Sequence, residues 1–232
     1  MIHLPALADK TRPRPNRPDF EQSYLIPDTD TYADLWDEVY QFLRAVSFRS
    51  PVVRSVDRYV NRLFGFFGFR VHPVTKVARY FHVGLSLDLA RGRKVYPIYP
   101  GVLEYAGYGA VNGYYILLSH PDIVTDDGYV LHSMYCHLKK PLVTFTSYQK
   151  MLREISLGSH PIISVPAGTL LGTAATSGLS RQHKPGLYFE VSFRKFGENP
   201  IAIDPYRLYY DMSPENETKD LADPKTIAEL FA

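Results

Sequence analysis

From residue 64 onward the chain consists of short apolar runs separated by glycine and proline, and this pattern limits the folds open to it. The runs are rich in Val, Ile, Tyr and Phe, which favour strands. They cover residues 80–89, 94–98, 101–105, 114–119, 129–135, 169–173 and 187–193. Many short strands joined by tight turns are typical of antiparallel sheets that pack as a sandwich or curve into an open barrel. The sequence therefore predicts a mainly β fold, an antiparallel sandwich or open barrel.

The first 63 residues have a different character. Residues 1–29 contain five prolines and predict an extended arm. A helix is predicted after Asp30, because apolar residues recur there at helical spacing; they are Leu35, Trp36, Val39, Phe42, Leu43 and Val46. A second helix is predicted from Ser50 and Pro51, a cap and a first-turn proline, to Leu63. The predicted units are an arm at 1–29, a pair of helices at 30–63, a β domain at 64–212 and a polar tail at 213–232.

The composition argues against several classes of function. The chain has 26 basic and 24 acidic residues, a net charge of +2 that is too balanced to indicate a nucleic-acid groove. No stretch reaches the roughly 20 apolar residues of a membrane span. The start of the chain has neither the basic residues nor the apolar run of a signal peptide. A single cysteine, Cys136, excludes an internal disulfide.

Four segments of the β region carry a more specific signal. The first is Gly68-Phe-Arg-Val-His-Pro-Val-Thr75 with Phe-His-Val-Gly at 81–84. The second is 95–103, and the third is Tyr-Cys-His-Leu at 135–138. The fourth comprises 165–172, Thr-Ser-Gly at 176–178 and Leu-Tyr-Phe-Glu-Val at 187–191. In this order they resemble the lysostaphin-like (LytM-type) zinc metallopeptidases, with their duplicated hybrid motif fold, which cleave peptide cross-links of bacterial cell walls.

The resemblance implies a zinc site that this sequence fills only in part. A catalytic zinc takes three protein ligands and a water; in the family the ligands come from His-x-x-x-Asp and from the second histidine of His-x-His. His82 matches the first ligand. Four residues further on stands Ser86, whereas Asp88 stands two beyond it on the same strand face, within a Leu-Asp-Leu-Ala run like that of the family. Two alignments follow, with either Ser86 or Asp88 in the ligand position.

At the second metal-binding strand both family histidines are replaced. Alignment on Phe-Glu-Val at 189–191 places Gly186 at the assisting histidine and Tyr188 at the ligand. His137 keeps the position of the other assisting histidine. It is expected to line the cleft into which the family's zinc ligands point, as a remnant of the catalytic machinery. Arg70 is expected to line the same cleft. A tyrosine is a poor zinc ligand at neutral pH, because its pKa is near 10.

These departures indicate a degenerate, non-catalytic member of the family. The expected function is a cell-wall-related binding or regulatory module whose cleft holds a peptidoglycan peptide or a cell-wall hydrolase partner, with no cofactor. The alternative is an active zinc endopeptidase with a rearranged site, in which His82, Asp88 and a third ligand such as His137 or His183 hold the metal. A third possibility is an assembly protein that uses its helices as the partner surface. The resemblance points to the bacterial envelope, whereas the lack of a signal-peptide pattern argues for an intracellular location or an unusual export route. The sequence leaves this choice open, and it leaves the oligomeric state open as well.

Overall fold

The computed structural model of the chain describes residues 1–15, 22–62, 65–70, 80–139, 149–150, 152–153, 162–178 and 185–214. The strands within these ranges are β1 (Ile2–Leu4), β2 (Thr11–Pro13), β3 (Leu25–Pro27), β4 (Gly68–Arg70), β5 (Tyr80–His82), β6 (Leu85–Asp88), β7 (Lys94–Val95), β8 (Gly101–Gly109), β9 (Gly113–Thr125), β10 (Val130–Leu138), β11 (Ser164–Val165), β12 (Gly172–Thr173), β13 (Gly186–Arg194) and β14 (Ile201–Ile203). The α-helix is α1 (Ala33–Ala45), and 3-10 turns lie at Ala8–Lys10, Val56–Arg58 and Pro205–Leu208.

One large sheet organises the described part of the molecule. Its strand order is β11-β8-β9-β10-β13-β14-β3-β2, with β1 added to β9 and β6 added to β13. Its pairs are antiparallel except β1 with β9 and β14 with β3. The strands β7 and β12, and the strands β4 and β5, form two small sheets. The predicted mainly β architecture is confirmed, as an open sheet and not as a closed barrel.

Helix α1 packs onto the sheet through its apolar side. Trp36, Val39, Tyr40 and Leu43 are buried in the main core, whereas Phe42 is 57% exposed. The indole Nε1 of Trp36 donates to the backbone oxygen of Lys10 at 3.0 Å, and the Tyr40 hydroxyl accepts from the backbone N–H of Asp204 at 2.8 Å. The apolar stripe of this helix is therefore mostly core, not an open partner surface.

The prediction of a second helix is wrong for the described residues 50–62. This stretch contains only the 3-10 turn Val56–Arg58, and Arg54 has a left-handed φ of 87° that interrupts a helix. Val52 and Val60 instead form isolated antiparallel bridges with Val95 and Leu87. β-branched residues pack well on a sheet, and here tertiary pairing overrides a helical spacing read from valines.

The beginning of the chain is tied to the sheet. Strand β1 pairs with Ile123–Thr125 of β9. Beyond it, the backbone N–H groups of Leu7 and Ala8 donate to the Asp127 carboxylate at 3.0 and 2.8 Å. Burial raises the pKa of Asp127, but these bonds and one from Thr125 outweigh it, so the net shift is downward. The boundaries of the predicted units stay a prediction. None of the helices in the described ranges has the length and apolar character needed to cross a bilayer.

His120 is a buried structural histidine of strand β9. Its Nδ1 lies 3.0 Å from the Pro100 carbonyl, so Nδ1 carries the hydrogen and Nε2 accepts from the Ser133 hydroxyl at 2.8 Å. Burial lowers the pKa of His120 to about 4, although the bond to Pro100 opposes this. The imidazole is therefore neutral in the folded protein at pH 7.

Acid should therefore destabilise the fold through His120. The unfolded histidine takes up a proton near pH 6.5 and the folded one only near pH 4, so the stabilising effect is present above pH 6.5 and is lost as the pH falls toward 4. The loss amounts to about 3 kcal/mol. We expect urea unfolding at pH 7 and pH 4.5 to show a smaller pH dependence for His120→Gln than for the wild type. His3→Gln, at an exposed histidine, is the control and should keep the wild-type dependence.

Candidate functional site

Strand β13 brings the candidate residues together because it pairs with β6 on one side and with β10 on the other. Tyr188 lies directly opposite Ser86 of β6 and opposite Cys136 of β10. Gly186 lies opposite Asp88. Residues two apart on a strand share a face, so Gly186, Tyr188, Ser86 and Asp88 all lie on one face of the sheet. Five sequence-predicted positions thus meet here once His82, just before β6, is added.

His82 is buried and held in a defined orientation. Its exposed fraction is 1%. The ring Nδ1 lies 2.9 Å from the backbone oxygen of Phe66, which can only accept, so Nδ1 carries the hydrogen. The lone pair is then on Nε2, which lies 3.5 Å from the hydroxyl oxygen of Ser86. A histidine ring oriented by a backbone carbonyl is the arrangement that metal ligands commonly have.

The ring of Tyr188 lies near both histidines of the candidate site. The centroid of its ring is 5.4 Å from that of His82 and 6.4 Å from that of His137. The ring packs so closely on Gly84 that a Cβ at this glycine would come within 2.7 Å of the tyrosine Cε2. Burial raises the pKa of Tyr188 well above its ordinary value, and the charge of Glu190 adds to the shift. Tyr188 is therefore a neutral phenol at pH 7.

Glu190 anchors this phenol, and the sequence analysis did not single it out. The glutamate is 1% exposed. The Tyr188 hydroxyl donates to its Oε2 at 3.1 Å, and the Tyr24 hydroxyl donates to its Oε1 at 2.6 Å. Arg194 forms an ion pair with Oε1 at 3.2 Å. The available sequence signal was the i,i+4 spacing of Glu190 and Arg194 on a strand, where alternate residues face the same side.

The two candidates for the second ligand position have different surroundings. The Ser86 hydroxyl lies within 3.5 Å of both His82 Nε2 and Arg70 Nη1. Asp88 lies at the exposed end of β6, where its carboxylate accepts from the Asn61 side chain at 2.9 Å. The residue in contact with His82 is thus Ser86.

His137 reaches the cleft through a bulge in β10. Tyr135 pairs with Ile116 and Leu138 with Tyr114, so one extra residue is accommodated between them. His137 has a φ of 63° there, a conformation that costs a non-glycine residue about 1–3 kcal/mol. Its Nδ1 donates to the backbone oxygen of Ser177 at 2.9 Å. The surrounding structure therefore holds this side chain at a fixed point of the cleft.

Two glycines permit the contact that supports His137. Ser177 and Gly178 press against the start of β9, where a Cβ on Gly113 would lie 2.1 Å from the Ser177 hydroxyl oxygen. A Cβ on Gly178 would lie 2.3 Å from the backbone nitrogen of Gly113. Both glycines also have positive φ angles, 64° and 68°. The Thr-Ser-Gly motif is thus needed for close backbone approach.

Arg70 forms part of the wall beside His82. Its side chain is 6% exposed. The guanidinium lies over the ring of Tyr80, 5.6 Å from the centroid, and Nη1 reaches the Ser86 hydroxyl. The positive group is therefore placed next to Ser86.

The described residues do not fit a catalytic zinc. They contain no group of three or more His, Cys, Asp or Glu side chains that could hold a metal. His82 offers one nitrogen, but the groups beside it are the serine hydroxyl of Ser86 and the neutral phenol of Tyr188, and Gly186 has no side-chain donor. Neither hydroxyl is a ligand that zinc prefers. His72 and His183 lie outside the described residues.

Comparison with known proteins gives similarities of fold only. No family model and no curated relative matches the chain. A zinc containing peptidase from Vibrio cholerae is 24% identical, with a TM-score of 0.46, over 69% of this chain and 39% of that one. The catalytic domain of lysostaphin from Staphylococcus simulans is 21% identical, with a TM-score of 0.41, over 61% and 86%. Csd3 from Helicobacter pylori is 20% identical, with a TM-score of 0.44, over 79% and 39%.

The similar solved structures thus include peptidases of the lysostaphin type, the family that the motifs resemble. The match spans less than half of the Vibrio and Helicobacter chains. What those proteins bind or cleave is a property of theirs, and it bears on this chain only as a proposal.

Proposed function

We propose that this chain is a non-catalytic lysostaphin-like domain that acts as a binding or regulatory module at the bacterial cell wall. The observation that carries the proposal is the position of Tyr188. Its ring lies near both His82 and His137, and its hydroxyl is bonded to a buried glutamate. A side chain fixed at this point takes the place that a third ligand would need.

The chemistry of the remaining groups supports the same proposal. A zinc peptidase needs three ligands and an open position for water, so that the metal polarises the carbonyl and lowers the pKa of the water. Here the second ligand position is Ser86 with Arg70 beside it. A guanidinium at this point opposes a cation by charge. The described cleft therefore keeps a histidine framework without the donors that the reaction requires.

The same groups suit recognition of a peptide. Arg70 presents a guanidinium, Tyr188 presents an aromatic ring whose hydroxyl hydrogen is donated to Glu190, and His137 presents an imidazole held at one orientation. A cleft with a few fixed polar groups and aromatic walls is typical of a binding site. We propose a peptidoglycan peptide, or a cell-wall hydrolase that offers a similar segment, as the occupant, and the cell envelope as the location.

Titration calorimetry with zinc tests the loss of metal binding. We expect no stoichiometric heat for the wild type at micromolar protein and pH 7, and the same trace for His82→Ala. Tight binding that disappears in His82→Ala would instead favour the active endopeptidase with a rearranged site.

Incubation with purified peptidoglycan tests the module itself. We expect the protein to sediment with the insoluble wall and to release no soluble fragments when zinc is present. His137→Ala should sediment several-fold less, whereas His3→Ala, at an exposed histidine, should behave as the wild type. Release of fragments contradicts the proposal; absence of sedimentation leaves the hydrolase partner as the occupant.

A further inference from the structure

Tyr24 of the N-terminal arm is bonded to a buried side chain of the candidate site. Tyr24 precedes strand β3 and is 6% exposed. Its hydroxyl donates to Glu190 Oε1 at 2.6 Å, across 166 positions of sequence. The arm is thus bonded to the same carboxylate that holds Tyr188.

The two carboxylate oxygens of Glu190 accept hydrogen bonds from different parts of the chain, one from the N-terminal arm and one from the cleft. Oε1 accepts from Tyr24, and Oε2 accepts from Tyr188 at 3.1 Å. Arg194 Nη2 lies 3.2 Å from Oε1 and also donates to the Tyr24 hydroxyl at 3.2 Å. Tyr24 therefore donates to the glutamate and accepts from the arginine. Removal of the Tyr188 hydroxyl takes the Tyr188 donor from Oε2, and removal of the Tyr24 hydroxyl leaves Oε1 with Arg194. Either loss is unfavourable for a carboxylate in a low-dielectric interior.

The arm also packs on the segment that carries His82. Tyr24 and Ile26 form a small apolar cluster with Val83 and Ala202. Val83 directly follows His82, so this contact lies next to the cleft wall. Arg14, whose backbone N–H donates to the Tyr24 carbonyl at 3.0 Å, places its guanidinium 5.6 Å from the Tyr24 ring centroid and 5.7 Å from that of Tyr80.

We propose that docking of the N-terminal arm and seating of Tyr188 in the cleft are coupled through the carboxylate of Glu190. Each phenol holds the glutamate in the orientation that the other needs, so each stabilises the other. Coupling of this kind is reciprocal. A ligand that displaces Tyr188 from the cleft loosens the arm, and a partner that withdraws the arm frees Tyr188. This inference goes beyond the proposed function, because it holds whatever the cleft binds.

The test removes one hydroxyl at a time and observes the other site. In protein labelled with 13C at the tyrosine Cζ, the NMR signal of Tyr188 is assigned as the one lost in Tyr188→Phe. We expect Tyr24→Phe to shift or broaden that signal. We expect Tyr188→Phe to speed amide hydrogen exchange at the non-proline residues of 22–27 about tenfold, in keeping with the loss of one hydrogen bond to a charged group.

Tyr32→Phe is the matched control, since Tyr32 also lies near the N-terminus but packs against Lys10 and the main core. It should change neither the Tyr188 signal nor exchange at 22–27. The proposal is overturned if Tyr24→Phe leaves the Tyr188 signal in place, or if Tyr188→Phe leaves exchange in the arm unchanged. A response in one direction alone counts against it too, because coupling acts both ways. If Tyr24→Phe does not fold, amide hydrogen exchange in Tyr188→Phe still decides whether the proposal stands.

Discussion

Replacing Ser86 by aspartate and Tyr188 by histidine is expected to give the cleft a zinc site at least about a thousandfold stronger than any in the wild type, because three nitrogen or carboxylate ligands then converge. Ser86 and Tyr188 are directly paired across β6 and β13 and face the same side of the sheet. Nε2 of His82 already points to Ser86, and its Nδ1 is held by Phe66. The substitutions therefore place the two missing donors beside a histidine that is already oriented.

Zinc calorimetry on four proteins separates this effect from incidental binding. The single variants Ser86→Asp and Tyr188→His should each bind far more weakly than the double variant, since each still lacks one ligand. Adding His82→Ala to the double variant should abolish the strong binding. If the single and double variants bind alike, the positions do not form one site, and the alignment of Ser86 and Tyr188 with the family ligands is incorrect.

Replacing Glu190 by alanine is expected to lower the free energy of unfolding by about 3–5 kcal/mol. The substitution leaves Arg194 without its ion-pair partner and takes the acceptor from two buried tyrosine hydroxyls. Buried donors that lose their acceptor bear the full cost of desolvation. Glu190→Gln keeps the shape and one carbonyl oxygen, so it should recover part of the loss.

Urea unfolding monitored by circular dichroism measures this difference. The control is Glu198→Ala, because Glu198 is exposed, and its effect should stay within about 0.5 kcal/mol of zero. Equal midpoints for Glu190→Ala and Glu198→Ala would show that the network around Glu190 contributes nothing to stability.

Much of the sheet could be predicted from local pattern. The runs at 114–119 and 187–193 fall within β9 and β13, and the run at 129–135 falls within β10 except for Tyr129. Side-chain alternation and β-branched residues leave a strong local signal there. The helix after Asp30 could also be predicted from local pattern, because apolar residues recur there at helical spacing. It spans Ala33–Ala45. The valines after Ser50 were misleading because their spacing fits a helix, while their pairing partners lie far away in sequence.

For the candidate site, too, some features follow from local sequence motifs and others depend on the tertiary structure. The positions of His82, Ser86, Tyr188 and His137 along the chain could be predicted from motifs, because each motif is contiguous. The network of Tyr24, Glu190 and Arg194 could not, because Tyr24 and Glu190 are 166 positions apart and nothing local relates them. Likewise, the bulge that turns His137 into the cleft depends on pairing with β9.

The sequence by itself determined which side chains stand at the positions that align with the family's metal site: His82, either Ser86 or Asp88, Gly186 and Tyr188, where the resembled family has three histidines and an aspartate. The chemical identity of a side chain does not depend on the fold, so no fold can give Gly186 a side-chain nitrogen. Only the tertiary structure decided where the tyrosine goes and what holds it there. Tyr188 lies near His82 and His137 because β13 pairs with β6 and β10, and because the buried carboxylate of Glu190, which also accepts from Tyr24, accepts its hydrogen bond.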